Sequence, residues 1–374
     1  MLGKKVTVLI DRKMGSVHPN HPDILYPLNY GHIPGLLAED GEEQDAYVLG
    51  IDHPLDSFTG TVIAIIHRED DVEDKWVVAD GMVSKEEIYE KTRFQEQYFQ
   101  TYIEMLQTSY EDLRWDLKRC GLRYDDCLMI HSSLKSVGSL KDGPESLIRA
   151  FCDAVSDGLV VFPTHTWATI RQDGDVFDVL ESDSCVGALT NIARRMPGFR
   201  RSLHPTHSVC AYGKNKEAYL ALDLHATTPV PPTGCFGILK DLKAKILFLG
   251  APLSKNTFIH SIEEAFDVEN RFTDHVYHFI SREEDRTIDF YMPRHYSTAS
   301  MHISDHYEKL LPYFLKLNIA RSCRIGNSLS YLVDAASCAD FVADLLKDDP
   351  HVFDDYRTDG LERIYESYQK TNEQ

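Results

Sequence analysis

The residues able to do chemistry in this sequence are mainly histidines, gathered in a few short stretches. Residues 201–213 read RSLHPTHSVCAYG, with His204 and His207 flanking a Pro–Thr pair. The proline disfavours helix at His204, and the short, mostly apolar run from Ser208 to Ala211 reads as a buried strand. An imidazole at the mouth of such a strand can take or give a proton near neutral pH; the same pair could instead cap the backbone of a turn. HSSLKSVG (131–138) and FPTHTW (162–167) precede this stretch. His225, TGCFG (233–237) and NTFIHSIEE (256–264) follow it. In the last of these, His260 and Glu263 stand three apart, on one face of a helix, whereas Glu264 reads as a solvated charge pointing elsewhere.

The elements that must position these groups alternate strand and helix from Tyr124 onward. DCLMIHSSL and LVVFPTHTW read as strands that end in polar residues, with a helix between them over about 144–156. SVCAYG and AKILFLGAP read as two further strands. SYLVDAASCADFVADLLKDDP reads as a strand and a closing helix, and YESYQKTNEQ as a loose end. Such layering puts functional side chains at the carboxyl ends of strands.

The chain before this has another texture. Val6–Ile10, Ala46–Ile51, Thr61–His67 and Lys75–Ala79 are strand-like, separated by Gly-, Pro- and Asp-rich connections. Their spacing predicts a small, mainly-β barrel. From Ser84 the sequence turns charged, with Ile88, Phe94, Tyr98, Tyr102 and Leu106 near helical spacing and a capping box at Ser84 and Glu87. The expected organisation is a β domain over 1–83, a helical linker over 84–108 and an α/β domain, a layered sheet with helices on its faces, over 109–374.

Composition bounds the partners. The formal charge is −20, from 59 acids against 39 bases. A surface of this sign repels nucleic acid and anionic lipid and suits a polycationic ligand. No apolar run reaches the length of a membrane span, and the opening MLGKKVTVLIDRK reads as a strand rather than a signal peptide. The eight cysteines form no CxxC pair, so they read as reduced thiols in the cytoplasm.

Taken in order, the stretches HSSLKSVG, FPTHTW, HPTHSV, His225 with TGCFG, and NTFIHSIEE resemble the aminoglycoside 3-N-acetyltransferase family over about 109–350. The resemblance implies an acetyl-CoA-dependent N-acetyltransferase acting on an amine of an aminoglycoside or similar polyamine. An amine attacking a thioester needs a base for its proton, a group to hold that base, and donors for the developing oxyanion. By the resemblance, His225 is the first choice for base and Glu263 its orienting carboxylate, with His204 and His207 as alternative bases. The acetyl-CoA contacts fall to His131, Ser132, Ser133, Val137 and Gly138, where small hydroxyls and backbone N–H groups suit phosphopantetheine. Arg201 and Ser202 are expected to add a phosphate contact, and Thr164 and Thr166 hydroxyls near the thioester. No cysteine occupies a motif position beside a candidate base, so direct transfer is expected rather than a covalent acyl-enzyme.

The first hundred residues carry a second resemblance. YPLNYGHIPG (26–35), EDGEEQDAYVLG (39–50) and HREDDVEDKW (67–76) are similar to the soluble inorganic pyrophosphatase family over about 6–100. Tyr30 matches its NYG tyrosine. Asp40 and Asp45 match the outer aspartates of its acidic loop, Glu42 replaces the middle one, and Lys75 matches a later lysine. Asp40, Asp45 and Asp70 would hold Mg2+ if this module were active. Thr7 and Leu9 stand where the family carries a lysine and a glutamate, and the family's C-terminal Tyr–Lys pair has no counterpart. The module is therefore expected to serve structure or assembly. The alternatives to the transferase reading are a magnesium-dependent pyrophosphatase and a non-catalytic binding protein with decayed sites.

Overall fold

The computed structural model describes residues 1–19 and 21–372, and the chain divides into two compact units. The first comprises Met1–Lys118, Val137–Ser146 and Arg324–Ser328; the second comprises Arg119–Ser136, Leu147–Cys323 and the chain from Leu329.

The first unit contains β1 (Lys5–Arg12), β2 (Val17–His18), β3 (His21–Leu25), β4 (Asn29–Leu37), β5 (Glu43–Val48), β6 (Ser57–Arg68), β7 (Lys75–Ala79) and β8 (Thr101–Met105). Its main sheet runs β1-β4-β5-β7-β6-β8, and β1 also pairs with β6. That extra pairing closes a five-stranded barrel, as the strand spacing predicted. The strands' apolar residues sort into two clusters, one with Val8, Val48, Val62, Trp76 and Val78, the other with Tyr47, Ile63, Ile66 and Val77. This is the period-two division that a pleated strand imposes. β4 is an element the sequence hid, because NYGHIPG looks like a turn. A Cβ on Gly31 would lie 1.8 Å from the Leu9 carbonyl oxygen. Glycine is what allows β1 and β4 to approach here.

The expected helical linker is only partly helix. Ser84 caps α1 (Lys85–Glu96), accepting from the Glu87 N–H at 3.2 Å, and Ile88 and Phe94 pack on a barrel cluster. Beyond it, Thr101–Met105 is a strand, not a helix. It hydrogen-bonds along β6, burying Ile103 and Met105 and leaving Tyr98 exposed; the open edge of β6 decides its conformation. α2 (Tyr110–Arg119) follows.

The second unit is built on β9 (Cys127–Ser132), β10 (Leu159–Pro163), β12 (Arg200–Arg201), β13 (Val209–Gly213), β14 (Lys245–Leu249), β17 (Ala320–Ile325) and β18 (Ser328–Asp334), with β11 (Val176–Asp178), β15 (Tyr277–Glu283) and β16 (Arg286–Met292) in a separate three-stranded sheet. The large sheet runs β12-β13-β10-β9-β14-β18-β17. The helices are α3 (Pro144–Ala154), α4 (Ala188–Ala193), α5 (Lys216–Leu220), α6 (Thr257–Ala265), α7 (Leu311–Lys316), α8 (Ala335–Asp348) and α9 (Asp359–Asn372). Met129, Val161, Val209, Ile246 and Phe248 pack with α6, α8 and α9. Phe162, of opposite parity in its strand, meets Phe151 of α3 edge to face. Helices therefore cover both faces of the sheet. The expected loose end is helical through Asn372, where Tyr368 donates to Asp344 at 3.0 Å; residues 373–374 lie outside the described residues. Among the described residues no helix is long and apolar enough to cross a membrane.

Candidate active site

Strand direction gathers the site. β9 is parallel to β10 and to β14, so their carboxyl ends share one edge of the sheet. β13 is antiparallel to β10, so the HPTHS stretch that leads into it lies at that edge too. Ligands bind outside the carboxyl ends of strands in open α/β sheets. A cavity of about 990 Å³ opens here, its wall including His131, Ser132, Ser133, His165, His207, His260 and His295.

The polar centre of this wall is on α6. Glu263 is buried at 1% exposure. Its Oε1 accepts from Arg271 Nε at 2.6 Å, and Arg271 also pairs with Asp354 at 2.8 Å. Its Oε2 accepts from the Tyr307 hydroxyl and lies 3.2 Å from His260 Nδ1. Burial pushes this carboxyl up, but His260, Arg271 and Tyr307 together outweigh burial and hold it below the ordinary range. His260 Nδ1 is also 2.8 Å from the Tyr307 oxygen. Tyr307 has one proton, and Glu263 receives it. The ring must therefore donate from Nδ1 to these two oxygens, which leaves Nε2 as its basic atom. The pair is an imidazole held by a buried, ionised carboxylate, with the imidazole on the cavity wall.

The buried histidines His131, His165, His207 and His295 are held neutral. Burial drives His131 down to about 3, and burial, reinforced by the neighbouring rings, drives His165 and His207 well below the usual imidazole range. His165 and His207 have ring centres 4.8 Å apart, His207 and His295 5.3 Å, His260 and His295 4.4 Å. His204 stands behind this row as a structural group. Its Nδ1 accepts from the Thr206 and His207 N–H groups at 3.2 and 3.0 Å, so its Nε2 donates to the Thr228 carbonyl at 3.2 Å. It caps the turn and is already fully used.

Several sequence choices fall elsewhere. His225 ends a single 3₁₀ turn (Ala221–His225) and is exposed, away from the cavity wall. Its neighbours Asp223 and Ala226 take the buried side; Asp223 accepts from the Cys235 N–H at 2.9 Å. The ring is left to solvent. Arg201 is buried, and its guanidinium donates to Thr164, Ser208 and the carbonyls of Val179, Ser182 and Thr164. A group so buried and committed, and absent from the cavity wall, is not placed to hold a phosphate there. Thr164 shares that network, Thr166 donates to the Pro205 carbonyl, and Ser202 accepts from the Val209 N–H at 3.1 Å. These four brace the HPTHS stretch. Val137 and Gly138 group with the first unit, not with the cavity wall. Val137 is fully buried, and Gly138 has φ +85° with Asn327 against it. Glu264, expected to be solvated, is buried and holds Thr228 and the Val230 N–H at 2.5 and 2.8 Å; burial raises its carboxyl to about 7. His131, Ser132 and Ser133 do line the cavity, and His131 Nε2 and Ser132 Oγ are buried without a hydrogen-bond partner. The sequence reading left His165, His295, Arg271 and Tyr307 without a role. Only His165 lay in a stretch it had marked, FPTHTW, because the others reach the site through long-range packing.

In the first unit the acidic residues do not converge. Asp45 takes the Tyr30 hydroxyl and pairs with Lys75 at 2.5 Å, and Lys75 also pairs with Glu73 at 2.5 Å. Asp40 accepts from the Glu42 N–H at 3.0 Å and Asp70 from the Gln100 N–H at 2.9 Å. Among the described residues no group of three or more His, Cys, Asp or Glu is arranged to hold a metal ion. The expected Asp40–Asp45–Asp70 set is thus three separate roles, a half-buried ion pair and two backbone caps.

A helix-covered mixed sheet, with a histidine–carboxylate pair at the edge where its parallel strands β9, β10 and β14 end, defines an α/β protein with a cavity at that edge. The profile of the family described as aminoglycoside 3-N-acetyltransferase matches residues 129–347, more than half of the sequence, and the chain belongs to that family. Aminoglycoside N(3)-acetyltransferase VII of Streptomyces paromomycinus is 31% identical over 179 residues, which is 43% of this chain and 62% of that protein. Aminoglycoside N(3)-acetyltransferase IX of Micromonospora chalcea is 26% identical over 260 residues, 61% of this chain and 90% of that protein. The solved structure of AAC-IIIb in a binary complex with CoASH aligns with a TM-score of 0.57 at 25% identity, covering 65% of this chain and 97% of its own. The chain spans about three-fifths of the length of relatives such as acetyltransferases VII and III.

Proposed function

We propose that the second unit is an acetyl-CoA-dependent N-acetyltransferase that passes the acetyl group directly to a primary amine, with His260 as general base. The observation that carries this reading is the Glu263–His260 pair on the cavity wall, with Nδ1 committed to the carboxylate side. Acetyl-CoA, when bound, supplies an activated acetyl thioester. The residues present fit it: the cavity is large, and Ser132 Oγ and His131 Nε2 are buried polar atoms on its wall that lack partners. The neutral amine attacks the thioester carbon, its ammonium proton having gone to solvent; His260 Nε2 takes one proton from the nitrogen as the C–N bond forms, Glu263 steadies the imidazolium, and that proton neutralises the thiolate released as the C–S bond breaks. A base of this kind contributes typically about 10²–10⁴-fold.

Direct transfer is favoured by the cysteine on the cavity wall. Cys185 has its thiol pushed up by burial, the opposite of an activated nucleophile. The acceptor class given by the relatives' names is the aminoglycosides, and the family resemblance extends it to similar polyamines. The eight free cysteines favour a cytoplasmic setting. For the first unit the reading is a pyrophosphatase-like barrel that has kept Tyr30, Asp45 and Lys75 as a half-buried network and serves structure. The test is thiol release from acetyl-CoA with a panel of amines: amine-dependent release supports the transferase, and release by none of them contradicts it. Phosphate release from pyrophosphate with Mg2+ would instead favour an active barrel.

A further inference from the structure

The cavity wall has the opposite charge to the molecule. The chain carries a formal −20, yet the ionic residues on the wall are Arg171, Lys255, Arg271 and Arg294 against one carboxylate, Asp305. Arg271 is neutralised by Glu263 and Asp354. Arg171 and Arg294 both line the cavity: Arg294 Nη1 donates to the Arg171 backbone carbonyl at 3.4 Å, and its guanidinium lies 5.7 Å from the Tyr277 ring centre. The nearby acids are committed to other groups. Asp173 holds His275 and the His278 N–H at 2.9 and 2.8 Å, and Asp175 holds the backbone N–H groups of Arg171 and Gln172 at 2.6 and 2.8 Å.

Much of the remaining polar wall is hydroxyl groups and buried imidazoles. His131, His165 and His207 are kept neutral by burial, and the buried Nε2 atoms of His131, His165 and His295 have no hydrogen-bond partner, that of His295 lying 3.9 Å from the Glu264 carboxylate, which is itself committed to Thr228 and Val230. Such a wall can accept hydrogen bonds from hydroxyls. It has little with which to balance several ammonium groups, whereas a guanidinium fork matches a phosphate or carboxylate in geometry as well as sign. A polycation would enter against two arginines.

We propose that the acceptor is a small hydroxylated amine that also bears a phosphate or carboxylate, held by Arg171 and Arg294 while its nitrogen reaches His260. This rests on the acyl-transfer reading and narrows its substrate class.

The test measures thiol release from acetyl-CoA with glucosamine 6-phosphate, muramic acid, glucosamine and the aminoglycoside fragment neamine. It compares the intact chain with Arg171→Ala and Arg294→Ala, and calorimetry follows CoA and glucosamine 6-phosphate binding in each. The expected result is that the two anionic amines exceed glucosamine and neamine in kcat/KM by about 10–100-fold, the range of a charge-assisted contact. Each arginine variant should remove that advantage through KM, with CoA affinity held. Neamine as the best acceptor would overturn the inference and leave acyl transfer standing. Loss of CoA binding in the arginine variants would also overturn it, assigning the pair to the phosphates of CoA. If no amine releases thiol, the acyl-transfer reading fails, and calorimetry still decides the anion site. Glucosamine 6-phosphate binding that is lost in both variants supports the site, and absence of binding to the intact chain overturns it.

Discussion

Replacing Glu263 by glutamine removes the charge that, in the proposed mechanism, makes His260 an effective base, while keeping the shape of the side chain. The carboxylate oxygen is 3.2 Å from Nδ1, so the centres of charge in the imidazolium–carboxylate pair are roughly 4 Å apart. At an effective dielectric near 20, that attraction is about 4 kcal/mol. Only part of the proton has moved at the transition state, so the expected loss in kcat is about 10–100-fold. Arg271 also loses one of its two counter-charges, and Asp354 at 2.8 Å keeps the other. The melting temperature should therefore fall without collapse of the fold, since breaking a buried pair outright costs about 3–5 kcal/mol. The assay is thiol release at saturating acetyl-CoA, beside a CoA titration showing unchanged affinity. The double variant His260→Ala/Glu263→Gln should fall little below His260→Ala alone, because groups acting as a unit are non-additive. Losses that multiply in the double variant, or a Glu263→Gln protein with full activity, would refute the reasoning.

Other outcomes follow from the same geometry. CoA should raise the melting temperature by linkage, and Ser133→Trp, which fills the cavity beside Ser132, should abolish the rise; a persisting rise would put CoA elsewhere. Stability should fall as pH drops below about 6.5, because the unfolded chain takes up protons that the buried histidines refuse. For His131, held at about 3, the loss reaches about 2 kcal/mol by pH 5, at roughly 1.4 kcal/mol per pH unit, with His165 and His207 adding in the same direction; a melting temperature flat from pH 7 to 5 would contradict that burial. In the barrel, Mg2+-dependent pyrophosphate turnover should stay at background, and Asp45→Asn should lower the melting temperature by leaving Lys75 with Glu73 alone. Robust turnover abolished by Asp45→Asn would reverse that assignment.

What the sequence disclosed was local. Strands with short apolar runs, such as Lys75–Ala79 and Lys245–Leu249, were visible because burial on both faces needs continuous hydrophobicity. Glu263 was visible because an i, i+3 spacing on a helix is a local fact. β4 was hidden by its glycines and proline, which serve a close strand approach rather than a turn. Thr101–Met105 looked helical because its periodicity is weak, and the β6 edge, far away in sequence, decides its conformation. Arg201 looked like a phosphate ligand because the sequence does not reveal five acceptors waiting for it inside the fold. His225 looked like a base by its place in a breaker-rich loop. Which side of a one-turn helix faces inward is set by Asp223 and Ala226 and their partners, not by the loop itself. The row of neutral imidazoles and the reversed charge of the cavity depend on residues from 131 to 295 meeting, and no sequence window spans them.

The most direct test of the account compares His260→Ala with His225→Ala in thiol release from acetyl-CoA, using an amine that the intact chain acetylates. Both variants should bind CoA as the intact chain does. The structure predicts that His260→Ala loses about two to four decades in kcat and that His225→Ala, altering only a solvent-exposed ring, stays near the intact rate. A full rate in His260→Ala, with the loss appearing in His225→Ala instead, would contradict the account and return the chemistry to the loop.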